Sequence, residues 1–166
     1  MGNFIKVLKA GNFGRLVASI LISEGIGVVS ALFTMNTMEK YKELQLPPFS
    51  PPGWVFPVVW SILFLLMGIA SYMVWVEGIE KRNVRDALVY YGIQLGFNFF
   101  WTIIFFRFEM RFLALLWIIA LLFFIIITTV QFFKVKRAAG YLMIPYILWV
   151  SFAVYLNYMT WVLNKV

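Results

Sequence analysis

Five long apolar runs dominate this chain and leave few folds open to it. They lie at about 16–33, 56–76, 87–106, 112–133 and 141–163. A helix needs about 20 mainly apolar residues to cross roughly 30 Å of hydrocarbon. Each run is long enough, and the fourth contains no charge at all. Backbone groups in lipid must find partners within their own segment, so the runs are predicted to be helices. Barrel strands are half as long and strictly alternating. The expected fold is therefore an all-α integral membrane protein: one domain over residues 1–166, a bundle of five transmembrane helices. Composition agrees, with 63% hydrophobic and 13% charged residues, against about 45–50% and about 25% in soluble domains.

The connections are short except the first, about 36–53, which holds Pro47-Pro48 and Pro51-Pro52 and so is not regular helix throughout. The chain has no Cys and no His. That excludes disulfides, thiol catalysis, Cys/His zinc sites, His- or Cys-ligated haem and Ser-His-Asp chemistry. No phosphate-binding Gly loop, metal-ligand cluster or paired carboxylates occur, and no metal site is expected. The net charge of +7 sits at the ends of the apolar runs, which is the pattern of membrane orientation and not of nucleic-acid binding. One side collects nine Lys and Arg residues: Lys6, Lys9, Arg15, Lys81, Arg82, Arg85, Lys134, Lys136 and Arg137. The other collects five: Lys40, Lys42, Arg107, Arg111 and Lys165. The excess predicts a cytoplasmic N-terminus and an external first loop. The first apolar run is long and lacks a small-residue cleavage site, so no cleavable signal is expected, which fits a bacterial cell membrane. Residues 1–15 are expected to lie at the interface, with Phe4, Ile5 and Leu8 inward and Lys6 and Lys9 snorkelling.

Several residues inside the runs are candidates for chemistry. Trp54 stands at the mouth of the second helix, either as a ligand contact or as an interfacial anchor. Gln94, Asn98 and Trp101 are spaced four and three apart and share one helix face. Two amides in hydrocarbon need partners, either on other helices or on a ligand. Pro145, Trp149, Ala153 and Asn157 recur every four residues and read as one stripe, a packing seam or the wall of a flat slot. Pro145 also frees a carbonyl one turn back and can open a groove. On that reading Tyr146 and Tyr155 lie off the stripe. Glu24 is the one charge deep in a span and is read either as functional or as a protonated interhelical bond. Gly92 and Gly96 form a GxxxG pair, a hint of a packing or dimer face.

These motifs resemble the TspO/translocator protein family, also called the peripheral benzodiazepine receptor family. The likeness rests on three ordered blocks. The first is Tyr41-x-x-Leu44-x-x-Pro47 leading to Pro51-Pro52-Gly53-Trp54-x-Phe56-Pro57-x-x-Trp60, then Met67-Gly68-x-Ala70-Ser71-Tyr72 and Trp75. The second is Gln94-Leu95-x-x-Asn98-x-x-Trp101 with Phe105-Phe106. The third is Pro145-Tyr146-x-x-Trp149-x-x-Phe152-Ala153-x-x-Leu156-Asn157.

The resemblance implies five helices enclosing a pocket closed by the Pro-rich first loop. It implies a tetrapyrrole ligand such as protoporphyrin IX, benzodiazepine-type ligands, and a homodimer. Carried across, Trp54, Asn98, Trp101, Trp149 and Ala153 line the pocket. No cofactor is required beyond a bound porphyrin. An enzymatic alternative is light- and oxygen-dependent porphyrin breakdown, with Trp54 and Trp149 as the candidate participants. A third reading is a regulatory membrane partner without ligand chemistry. Departures from the family pattern are Lys40 before the loop Tyr, and Leu113 and Trp117 where many members carry Trp and Asp. A cholesterol signature needs a basic residue within five positions after Tyr158, and Lys165 lies too far along.

Overall fold

A computed structural model describes residues 10–34 and 43–164. The expectations placed on the N-terminal stretch through Lys9, on Lys40, Tyr41 and Lys42, and on Lys165 lie outside the described residues. The regular structure among the described residues is helical, with no strand among them, and five of the helices are long and apolar enough to cross a membrane. They are α1 (Ala10–Thr34), α2 (Val55–Trp75), α3 (Arg82–Thr102), α4 (Arg111–Val135) and α5 (Arg137–Leu163). Helix α3 continues into a π-helical turn, Ile103–Arg107, closed by Phe108 N–H to the Ile103 carbonyl at 3.1 Å.

The helices run past the apolar cores into charged ends because helical hydrogen bonding continues until the chain must turn. Between α2 and α3 the turn uses Gly78 at φ +115°, a conformation that L side chains rarely adopt. Between α4 and α5 a single extended residue, Lys136 (φ −150°, ψ 112°), suffices. Its ammonium meets the Glu77 carboxylate at 2.7 Å, which ties this junction to the α2–α3 turn.

The helices close a ring in the order α1, α2, α5, α4, α3. The ring centre is apolar and fully buried at Met67, Val74, Ile118, Met143 and Val150. Outward positions such as Leu21 and Leu148 are large, apolar and about two-thirds exposed (64% and 66%). In water such a surface would aggregate, whereas facing lipid it is solvated. Helix α1 approaches α2 at Gly68, where an added Cβ would lie 2.7 Å from the Ile20 Cα. The two nearest atoms are backbone, so moving the Ile20 side chain alone does not relieve the clash. Gly68→Ala is expected to push α1 outward and cost about 1–3 kcal/mol. A lowered melting temperature of the detergent-purified variant checks this, and unchanged melting would mean that the α1–α2 contact is loose.

Candidate ligand-binding site

The first two turns of α2 organise the site. Residues 43–54, before α2, contain no helix, as the prolines dictate. Ser50 N–H and its hydroxyl both donate to the Pro47 carbonyl, at 3.2 and 2.7 Å. Gln45 exchanges two bonds with the Asn164 side chain, each 3.0 Å, so this segment is pinned to the end of α5. Helix α2 then starts at Val55, with Trp54 at its cap and Pro57 in the first turn, where a missing N–H costs nothing.

Phe56 and Trp60 are one turn apart and face α5. Phe56 meets the Trp149 ring edge-on at 6.0 Å between centroids. Trp60 contacts Tyr146 at 6.1 Å and Trp101 at 6.0 Å. Trp101 stacks on Phe105, 5.9 Å away, in the middle of the π turn. Two sets of ring contacts thus tie the helices together, Phe56 with Trp149 between α2 and α5, and Trp60 with Tyr146 and Trp101 across α2, α5 and α3.

Polar groups thread the second set. Tyr146 is fully buried; its hydroxyl donates to Gln94 Oε1 at 2.9 Å and accepts from Asn98 Nδ2 at 2.8 Å. Gln94 Nε2 faces the Met67 sulfur at 3.8 Å. Trp101 Nε1 donates to Asn157 Oδ1 at 3.3 Å, and Asn157 Nδ2 donates to the Ala153 carbonyl at 2.9 Å. Among the described residues, two sealed side-chain polar atoms have no partner, the Tyr72 hydroxyl and Trp149 Nε1. An unpaired buried donor of this kind costs on the order of 1–3 kcal/mol. Trp149 also lines a groove of about 400 Å³ between α2 and α5, walled by Val59 and Leu63 on one side and by Pro145, Leu148 and Phe152 on the other. The groove opens beside Pro145, where the helix lacks one hydrogen bond.

The structure places the sequence candidates unevenly. Asn98, Trp101 and Ala153 are buried together at the ring centre, and Gln94 shares their face. Trp149 is half-buried at the groove. Trp54 stands 69% exposed at the cap. Trp117 belongs to the α3–α4 contact: its Nε1 donates to the Phe97 carbonyl at 2.9 Å and its ring stacks on Phe97. Glu24 is half-exposed on α1 and makes no hydrogen bond with another described residue, so the interhelical bond expected of it is absent among them.

Helix α5 corrects the four-residue stripe. Its buried residues include Ala139, Met143, Tyr146, Val150, Ala153, Asn157 and Thr160, an alternation of four and three, with Gly140 and Leu156 buried beside it. At about 100° per residue, steps of four drift about 40° each. Over the three steps from Pro145 to Asn157 the face therefore turns through about a third of a circle. Pro145 and Trp149 fall at the groove, Ala153 and Asn157 inside. Tyr146, read as off the stripe, is the hub of the centre. A seven-residue count along α5 finds it; a count by fours does not.

Fold and centre together define a class: a five-helix membrane protein whose interior joins an aromatic cluster to paired amides. The family model described as the TspO/MBR family matches residues 19–162. The tryptophan-rich protein TspO of Chlorobaculum tepidum is 38% identical over 140 residues, covering 84% of this chain and 89% of that protein. The protein of the same name from Archaeoglobus fulgidus is 36% identical over 154 residues, covering 92% and 99%. The human translocator protein is 37% identical over 123 residues, covering 73% and 72%. The chain belongs to the TspO/MBR family.

Proposed function

We propose that the chain is a membrane tetrapyrrole-binding protein that takes a protoporphyrin IX-like ligand as carrier, sensor or sink. The observation that carries this reading is the Trp149 indole N–H. It is sealed and unpaired at an apolar groove beside a cluster of aromatic rings. A flat, largely apolar ligand with hydrogen-bonding edges suits such a site. Trp149, Trp101, Asn98 and Ala153 supply its walls. Trp54, exposed at the cap of α2, is the further contact of this reading. No other cofactor is required.

Titration of the detergent-purified protein with protoporphyrin IX in the dark tests the reading. Saturable micromolar quenching of Trp fluorescence is expected, and partitioning no better than into empty micelles would overturn it. The enzymatic alternative predicts defined product over many turnovers under light and oxygen, whereas a binder bleaches its ligand slowly. The same reading takes the lipid bilayer as environment, with the N-terminus cytoplasmic. The open space beside Gly92 and Gly96 on the outer face of α3 supports a homodimer.

A further inference from the structure

The segment before α2 is fastened at three points. Gln45 is tied to Asn164, Ser50 to the Pro47 carbonyl, and the Val55 N–H donates to the Pro52 carbonyl at 2.9 Å. Inside the Pro47–Ser50 turn, Pro48 and Phe49 take the two central positions. Phe49 stands at φ +68°, in the left-handed region. A turn with Pro first and a positive φ second normally takes Gly or Asn at that place. A bulky aromatic there is an outlier. Such strain persists only where the surroundings hold it, and here the fastenings on either side do. The side chain held in this way packs on little. It is 87% exposed, the most of any large apolar side chain among the described residues. Leu46, just before the turn, is exposed as well. Glycine would make the same turn without strain, and a polar residue would suit water. Position 49 has neither, so what the turn presents is the ring itself.

We propose that Phe49 is a membrane anchor: the rigid turn holds its ring in the boundary between lipid headgroups and acyl chains, and the segment before α2 docks on the bilayer. The inference stands apart from the tetrapyrrole reading. What covers the ring follows from where the segment is fastened. Asn164 caps α5, directly after Val162 and Leu163, and Tyr158 lies less than two turns back; all three side chains are exposed on the outside of the bundle. Phe49 is four residues from Gln45, so its backbone lies within about 14 Å of that end of the lipid-facing surface. On its other side the segment enters α2, the neighbour of α5, where Val58 is exposed to the same surface. Leu46 and Phe49 thus extend the lipid face beyond the ends of two adjacent helices. A ring facing water there would gain nothing for its strain. A ring sunk into the interface buries its apolar area and leaves the polar backbone of the turn in the wet headgroup layer. Held on α5 by Gln45 and on lipid by Phe49, the segment fixes where α2 begins relative to the bilayer surface.

Two measurements on the full chain in phosphatidylcholine nanodiscs test this. The chain has no Cys, so Phe49→Cys takes a single environment-sensitive fluorophore. Its emission is expected to be blue-shifted, quenched by nitroxide-bearing lipids and shielded from aqueous iodide. Quenching by iodide alone, or shielding from both quenchers as by a second copy of the chain, overturns the proposal. The second measurement compares the native ring with its replacements and reads hydrogen exchange of the Ser50 amide, which closes the turn. Phe49→Asn relieves the strain, since Asn tolerates the left-handed region, but it cannot anchor. With the ring docked on lipid, exchange should quicken about tenfold or more in Phe49→Asn and return to the wild-type rate in Phe49→Trp. A ring that is merely strained predicts the opposite sign, slower exchange in Phe49→Asn. That outcome, or an unchanged rate, overturns the anchor.

Discussion

Trp149→Ala is expected to weaken tetrapyrrole binding by more than about tenfold, because a buried Trp face contributes on the order of 2–3 kcal/mol to a flat ligand. The substitution removes a groove wall and the unpaired N–H together. Trp149→Phe separates the two contributions. It keeps a ring against Phe56 and Phe152 but has no donor, so its affinity should fall between wild type and alanine. The order Trp, Phe, Ala in decreasing affinity, read by dark titration with protoporphyrin IX, places the ligand at the groove. Equal affinity of all three proteins would move the ligand elsewhere in the bundle. The bundle itself should tolerate the change. Trp149 is half-buried at the groove edge, and the residues that close the ring centre, Tyr146, Val150 and Ala153, remain.

What the sequence disclosed follows from which forces are local. Hydrocarbon demands long apolar helices whatever their neighbours are, so five spans were readable from run length alone. The pairing of Gln94, Asn98 and Trp101 on one face was readable as well, because their spacing fits helical geometry without knowledge of the partner. Tyr146 was not. Its role depends on how α5 is rotated against α3, and that rotation is set by a buried face that shifts alternately by three and four residues. Spacing by fours follows the visible landmarks, Pro145 and Trp149, and these lie at the groove. The destination of a polar group in a span was equally hidden. Trp117 lies within a long apolar run, yet it serves the α3–α4 contact by donating to a carbonyl of α3. Nothing in the order of residues shows which carbonyl will be near.

Tyr146→Phe is expected to be the most destabilising single-atom change in the bundle. The ring stays and fills its space, so no cavity forms. What is lost is the partner of both amides: Asn98 Nδ2 and Gln94 Oε1 would each be left without it in the buried interior. At roughly 1–3 kcal/mol for each stranded group, the cost is about 2–6 kcal/mol. Thermal melting in detergent reads it, and unaltered melting would mean that the hydroxyl holds neither amide. The prediction has a sharper form. If the loss comes from stranded polar groups, then removing them as well should restore stability. The triple variant Gln94→Leu, Asn98→Leu, Tyr146→Phe replaces the network by apolar side chains of similar size, and such replacements are often neutral or stabilising. It should melt near wild type while Tyr146→Phe alone melts well below, a non-additivity expected of residues that share one network. A bundle that holds together without the network but no longer binds protoporphyrin IX would show that these amides serve the ligand and not the fold.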